Sequence, residues 1–80
     1  MELKYVITEH NNFAIFSKGT NHGDIGKELH GDPVGAGFCT LRKHGDLDNI
    51  NIHCYGESIS LGIESREEDE KIINKALNNY

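Results

Sequence analysis

Residues 32–56, DPVGAGFCTLRKHGDLDNINIHCYG, contain two runs that predict neighbouring strands of an antiparallel sheet. The first run, residues 32–43, leads into the segment HGDLDN at 44–49, which is rich in turn-forming residues. The second run alternates apolar and polar side chains, as a half-buried strand does. We therefore expect a hairpin. A register symmetric about its turn makes three cross-strand pairs: Cys39 with Cys54, Leu41 with Ile52, and Phe38 with Tyr55.

The second run changes phase at Gly56. Apolar residues lie at even positions before this glycine and at odd positions after it. Because successive side chains of a strand point to opposite faces, the change requires a bulge or a turn. The run therefore predicts either one long strand or two shorter ones. The residues concerned are Ile50, Ile52 and Cys54 before Gly56, and Ile59, Leu61 and Ile63 after it.

The N-terminal part of the chain predicts another hairpin followed by a short helix. ELKYVITE at residues 2–9 and NFAIFSK at 12–18 both alternate, and an Asn-rich turn separates them. Residues 19–31 predict a helix with Thr20 or Asn21 at its N-cap. Gly31 is the expected helix end, because glycine adopts the left-handed conformation readily.

The C-terminal segment SREEDEKIINKALNN, residues 65–79, is typical of an amphipathic helix. Ser65 followed by Glu68 matches the capping-box pattern, and acidic residues fill the first turn. One helical face is apolar and predicts packing on the sheet: Ile72, Ile73, Ala76 and Leu77.

These elements predict a single α+β domain over residues 1–80. The order is strand, strand, helix, strand, strand (or two strands), helix. Short connections favour an antiparallel sheet of four to five strands, and we expect both helices to pack on one face of it.

Composition limits the classes of function. The chain carries 8 basic and 13 acidic residues, a formal net charge of −5, so binding to nucleic acid through a basic surface is not expected. No apolar run approaches the ~20 residues that cross a bilayer, and no signal peptide is evident, which predicts a cytoplasmic protein with reduced thiols. Because so short a chain has a thin core, we also expect a homo-oligomer.

The tripeptide His-Gly-Asp occurs three times, at residues 22–24, 30–32 and 44–46. A histidine and a carboxylate two residues apart can bind a metal, but Gly and Asp are also what turns and helix ends prefer. The spacing defines no repeat, so we interpret the tripeptides as turn chemistry and expect neither a metal nor a cofactor. No nucleophile motif is visible, and we expect no enzymatic activity.

The glycines of GDPVGAGFC raise a separate question. Glycine inside a strand is unfavourable unless something approaches the backbone closely. The approaching group is either packed protein or a ligand or second subunit, and the sequence leaves both open. The segment is not a phosphate-binding loop, because no Gly-Lys-Ser/Thr follows it.

Polar side chains at two places are candidates for binding a small anion or a nucleobase. Asn51, His53 and Tyr55 share the polar face of the fourth strand, and Arg42 or Thr40 lies beside them across the hairpin. Arg66 stands at a helix N-terminus, where a cation opposes the helix dipole. We therefore expect it to bind an anionic ligand or a glutamate of a partner. The candidate ligand-binding residues are His22, Arg42, His53, Tyr55, Ser65 and Arg66.

The segments NHGDI, GDPVGAGFC and GESISLGIESREEDEKII resemble small proteins of bacteriophage and prophage genomes. This resemblance implies a role in the host cytoplasm, where such proteins often antagonise host defence. Some sequester small nucleotide-type immune signals as oligomers, and others block a host protein directly.

Three functional hypotheses follow. The first is a homo-oligomeric protein that sequesters a small anionic, nucleotide-like immune signal. The second is a protein inhibitor or accessory subunit that uses the acidic turn at residues 67–70 to bind a basic host protein. The third is a structural or regulatory domain without a ligand.

Overall fold

The computed structural model describes residues 2–43 and 50–78. Strands β1 and β2 form a hairpin, helix α1 follows, β3 and β4 form a second hairpin, and the short strands β5 and β6 precede helix α2. The bounds are β1 Glu2–Thr8, β2 Phe13–Phe16, α1 His22–Gly26, β3 Pro33–Lys43, β4 Ile50–Tyr55, β5 Glu57–Ser58, β6 Ile63–Glu64 and α2 Glu67–Leu77.

The main sheet has four antiparallel strands in the order β2-β1-β3-β4, and β5 and β6 form a separate two-stranded sheet. The predicted α+β class is therefore confirmed. The predicted register of the β3–β4 hairpin is also confirmed, including the pairs Cys39–Cys54, Leu41–Ile52 and Phe38–Tyr55. No helix within residues 2–43 and 50–78 is long and apolar enough to cross a lipid bilayer.

Helix α2 covers one face of the main sheet and completes the core. Its Ile73 is buried in a cluster with side chains from β1, β3 and β4, and partly buried residues of β2 and α2 surround the cluster. Burial of this apolar surface is the main contribution to stability in so small a chain. The buried side chains of the cluster are Tyr5, Ile7, Cys39, Ile52 and Ile73.

Helix α1 lies on the opposite face of the sheet, so the expectation that both helices share one face is wrong. The ring of His22 makes edge contacts with Phe16 and Phe38, at centroid distances of 5.5 and 6.2 Å. Both phenylalanines are register partners of Lys4, whose face is opposite to that of Tyr5. The strands therefore carry apolar side chains on both faces, and each face needs a cover.

Helix α1 is shorter than the sequence predicted. Asn21 is its N-cap, as expected, and its side chain accepts a hydrogen bond of 2.7 Å from the N–H of Gly23. The helix ends at Gly26, because glycine lowers helix propensity by about 1 kcal/mol relative to alanine. Gly31 does adopt a positive φ of 99°, but in the turn before β3 rather than at the helix end.

The phase change at Gly56 is a turn, as one of the two predicted solutions required. Gly56 has a φ of 82°, a conformation that other residues rarely adopt, and it separates β4 from β5. The chain then forms the β5–β6 hairpin beside β3 and returns toward α2. The hydrogen bond from Ser65 N–H to Gly56 O, 2.9 Å long, closes this excursion.

Close packing within the chain explains two glycines of β3. A Cβ atom on Gly35 would lie 2.0 Å from Oδ2 of Asp69, and one on Gly37 would lie 2.4 Å from the carbonyl oxygen of Tyr55. The first neighbour comes from α2, and the second comes from the chain that leaves β4. Of the two possibilities that the sequence left open, protein packing is therefore what the described residues show at these positions.

The outer edge of β4 is covered by side chains of α2. Asn74 accepts a hydrogen bond of 2.7 Å from Ile52 N–H and donates one of 3.0 Å to Ile52 O. Oε1 of Glu70 accepts the N–H of Cys54 at 2.8 Å. Because an open strand edge pairs readily with other chains, this cover protects one side of the sheet.

Candidate functional site

A groove lies between β4 and the beginning of α2 and has a cavity volume of about 520 Å³. Four of the six candidate residues line it, namely His53, Tyr55, Ser65 and Arg66. The turn at Gly56 brings these residues together, because it lets the chain leave β4 and return at the start of α2. The other lining residues are Cys54, Gly56, Glu67, Glu70 and Lys71.

Three nearly parallel rings form a row on the sheet beside this groove. The ring centroids of His53 and Tyr55 are 5.7 Å apart with planes 24° apart, and those of Tyr55 and Phe38 are 6.1 Å apart with planes 27° apart. The hydroxyl of Tyr55 donates to the carboxylate of Glu2. This hydrogen bond, with burial, raises the pKa of Tyr55 to about 12, so the phenol stays protonated.

Arg66 is bound to a carboxylate of its own helix. Its Nε and Nη2 lie 2.8 and 2.7 Å from Oδ1 of Asp69, whose side chain is fully buried. The N–H of Arg66 donates to Oδ2 of the same carboxylate at 3.1 Å. Arg66 therefore forms an ion pair with a carboxylate of its own chain. This pairing offsets the cost of burying the charge of Asp69.

The same contacts correct the predicted capping box. The N-cap of α2 is Arg66 rather than Ser65, and Asp69 rather than Glu68 accepts the N-cap N–H. The pattern of polar residues fits both positions, and burial of Asp69 selects the one that pairs it with Arg66.

Ser65 belongs to a hydrogen-bonded chain that runs from the groove into the core. The hydroxyl of Tyr5 is 2.8 Å from Oγ of Ser65 and 2.7 Å from Oδ2 of Asp69. Burial is the main reason that the pKa of Tyr5 lies well above its ordinary value. Tyr5 is thus a neutral link between a groove residue and a buried carboxylate.

Glu70 links α2 to β4 beside the groove. Its Oε1 accepts hydrogen bonds from the N–H of Cys54 at 2.8 Å and from Nδ1 of His53 at 2.9 Å. This double contact fixes the imidazole of His53, whose ring is stacked on that of Tyr55.

Two of the six candidate residues lie elsewhere in the fold and do not line this groove. His22 is buried on the α1 face, where its Nε2 lies 2.8 Å from the carbonyl oxygen of Gly37. Arg42 is exposed near the end of β3, opposite Asn51, and does not line the groove. Alternation along a strand did not reveal that α1 and α2 cover different faces.

The acidic turn is smaller at the surface than the sequence suggested. Asp69 is buried, and Glu70 is hydrogen-bonded to β4, so exposed carboxylates remain at Glu67 and Glu68. The His-Gly-Asp tripeptides are likewise dispersed: residues 22–24 open α1, 30–32 precede β3, and 44–46 lie outside the described residues. Within residues 2–43 and 50–78, no three His, Cys, Asp or Glu side chains gather as a metal site.

The structure adds three residues that were not among the six candidate ligand-binding residues. Tyr5, Glu70 and Lys71 either line the groove or bind its lining. The sequence spacing could have predicted the contact between Arg66 and Asp69, because residues three apart on a helix are neighbours. No local sequence pattern predicts the contact of Tyr5 with Ser65, since it joins the first strand to the residue before the last helix.

Comparison of the chain with protein-family models, with curated proteins and with solved structures found no match. The groove between β4 and α2 is therefore interpreted from its own geometry and chemistry.

Proposed function

We propose that this protein binds a small nucleotide-type molecule in the groove between β4 and α2. The observation that carries the proposal is the joint lining of that groove by the rings of His53 and Tyr55 and the cations Arg66 and Lys71. Its volume of about 520 Å³ falls within the range of about 300–1,000 Å³ that small-molecule sites occupy.

Ring stacking supplies one part of the proposed binding. A nucleobase adds to a row of parallel rings at a gain of about 1–3 kcal/mol per base. The row Phe38, Tyr55, His53 ends at the groove, because His53 is exposed and the other two rings are half-buried. A base against His53 would continue the row.

The charges of the groove favour a ligand with little net charge. Its lining contains two cations, Arg66 and Lys71, and two carboxylates, Glu67 and Glu70, so the formal charges of the lining cancel. Arg66 is also bound to Asp69, which leaves Lys71 as the better contact for a phosphate at the rim. A mononucleotide or a cyclic nucleotide fits this balance better than a polyphosphate does.

We propose binding without turnover. The cysteine of the lining is Cys54, whose side chain packs against the core. Burial raises the pKa of its thiol to about 12, so the nucleophilic thiolate is scarce at neutral pH. Together with the resemblance to small phage proteins, a site that holds a signal without converting it supports sequestration of an immune signal as an antagonist of bacterial host defence.

We further propose a homo-oligomer formed through the edge of β2. Its residues Phe13–Phe16 carry no charge, proline or bulge, and among the described residues no side chain covers their outer backbone groups as Asn74 and Glu70 cover β4. A second copy of the chain can pair with this edge in antiparallel fashion, which would extend the sheet across both protomers.

Native mass spectrometry with a panel of mononucleotides and cyclic nucleotides tests the ligand. Wild type should gain the mass of one panel member per protomer. His53→Ala should weaken binding about tenfold or more through lost stacking, whereas His10→Ala, an exposed histidine outside the groove, should leave it unchanged. Arg66→Ala is a poor test, because it also deprives the buried Asp69 of its partner.

Equal binding by wild type and His53→Ala would refute the groove as the site. No uptake from the panel would refute the nucleotide proposal and favour the second hypothesis, a protein target recognised by the exposed Glu67 and Glu68. That hypothesis predicts binding to a basic host protein that weakens with salt and with the change of both residues to glutamine.

A further inference from the structure

The protons in the chain Ser65–Tyr5–Asp69 can be assigned from the distances. A tyrosine hydroxyl carries one proton, and Tyr5 has two oxygen neighbours, Ser65 Oγ at 2.8 Å and Asp69 Oδ2 at 2.7 Å. The carboxylate of Asp69 faces the guanidinium of Arg66 and is therefore an acceptor only. The proton of Tyr5 must go to Asp69.

The orientation of Ser65 follows from that assignment. Because Tyr5 donates its proton to Asp69, Ser65 must be the donor in the hydrogen bond between Ser65 and Tyr5. The hydroxyl of Ser65 thus donates to Tyr5, and toward the groove that it lines it can act only as an acceptor.

Glu70, which also lines the groove, likewise acts as a hydrogen-bond acceptor. Its Oε1 is occupied by the N–H of Cys54 and by Nδ1 of His53, and its second oxygen carries acceptor lone pairs only. Ser65 and Glu70 thus offer acceptors, whereas the cationic donors of the lining are Arg66 and Lys71. A phosphate oxygen, which is itself an acceptor, matches the two cations and not Ser65 and Glu70.

We propose that Ser65 and Glu70 select a ring that bears an exocyclic amine, such as adenine or cytosine, over the corresponding oxo ring. The two N–H groups of an amine match two acceptors, whereas an oxo group leaves an acceptor facing acceptors. Tyr5 acts as a positioning residue, because it holds the proton of Ser65 away from the ligand. This inference rests on the proposed nucleotide site and specifies its ligand.

Isothermal titration of wild type with matched nucleotides tests the inference. AMP is compared with IMP, and CMP with UMP, because each pair has the same charge and nearly the same shape. We expect the amino member of each binding pair to bind about tenfold or more tightly. Equal affinities, or tighter binding of IMP or UMP, would overturn the inference while leaving the nucleotide site intact; no binding by any of the four would end both.

Two variants test the role of the serine proton. Ser65→Ala should reduce the AMP-to-IMP affinity ratio toward one by weakening AMP more than IMP. Tyr5→Phe removes the oxygen that takes the proton of Ser65, so the hydroxyl can turn toward the ligand and the ratio should also fall. A structural loss would weaken both nucleotides alike, and an unchanged ratio in a folded Ser65→Ala variant would contradict the assignment.

Discussion

Gly35 leaves the space that the carboxylate of Asp69 occupies. That carboxylate is fully buried and is held by Tyr5 and Arg66, so its position determines where the first turn of α2 meets the sheet. A single missing side chain on β3 is thus a condition for the geometry of the groove.

Gly35→Ala should therefore destabilise the protein strongly. Its Cβ would lie 2.0 Å from Oδ2 of Asp69, which must move away from Tyr5 or Arg66. We expect a loss of about 3 kcal/mol or more, from overpacking and from a disturbed buried charge. Urea unfolding measures it, with Gly19→Ala as control, since the nearest atom there is 3.8 Å away. Equal midpoints for both variants would contradict the packing explanation.

The sequence predicted that a group approaches the β3 glycines, but it did not identify the group. Glycine inside a strand is a local signal, whereas the neighbours of Gly35 and Gly37 come from α2 and from the turn after β4. Arg66 gave a similar signal. Its misfit at a helix N-terminus was visible in the sequence, and the fold identified its counterpart as Asp69.

At the scale of elements, the two edges of the main sheet differ. The β4 edge has its backbone groups bound by Asn74 and Glu70. In β2, the bond from Thr8 N–H to Asn12 O fixes the alternation, so Ala14 and Phe16 bond to β1 and the backbone groups of Phe13 and Ile15 point outward. The proposed second copy would bind at these outward groups.

Amide exchange and mass measurements test this edge. In a homodimer paired through β2, the amides of Phe13 and Ile15 should exchange as slowly as those of Ala14, and dilution should release them. Ile15→Pro removes an outward N–H without touching a bond to β1 and should give a folded monomer, whereas Ile15→Val should stay dimeric. A monomeric wild type, or fast exchange of the Ile15 amide at every concentration, would refute the proposed interface.

Helix ends were the least accurately predicted elements. The composition of α2 predicted its amphipathic character and its position near the sheet, but its N-cap lies one residue later than expected. Adjacent polar residues satisfy the capping pattern equally well, and burial of one carboxylate decides between them.

At the scale of the whole molecule, burial favours the neutral form of three ionisable side chains in and beside the core. Burial raises the pKa of Cys39 to about 11 and that of Cys54 to about 12, and it also raises the pKa of Tyr5. In the unfolded chain, a thiol ionises near a pH of about 8.5.

Stability should consequently fall in alkaline solution. Above a pH of about 8.5 the unfolded chain binds fewer protons than the folded protein, so the free energy of unfolding decreases as pH rises toward 11 and 12. Urea midpoints should be nearly equal at pH 7 and 8 and then decline by pH 10. Cys54→Ala should be less stable throughout but decline less steeply. A wild-type midpoint that stays constant to pH 10 would contradict the burial of these groups.

The sequence by itself determined the α+β class, the antiparallel hairpins, the register of β3 against β4 and the break in strand phase at Gly56. These depend on alternation, turn residues and caps, which are properties of neighbouring residues. The tertiary structure decided that α1 and α2 cover opposite faces, that Asp69 occupies the space at Gly35, and that His53, Tyr55, Ser65 and Arg66 meet in one groove without His22 and Arg42. Each of these depends on contacts between distant segments, and the energy of such contacts comes from burial and hydrogen bonds that no local pattern records.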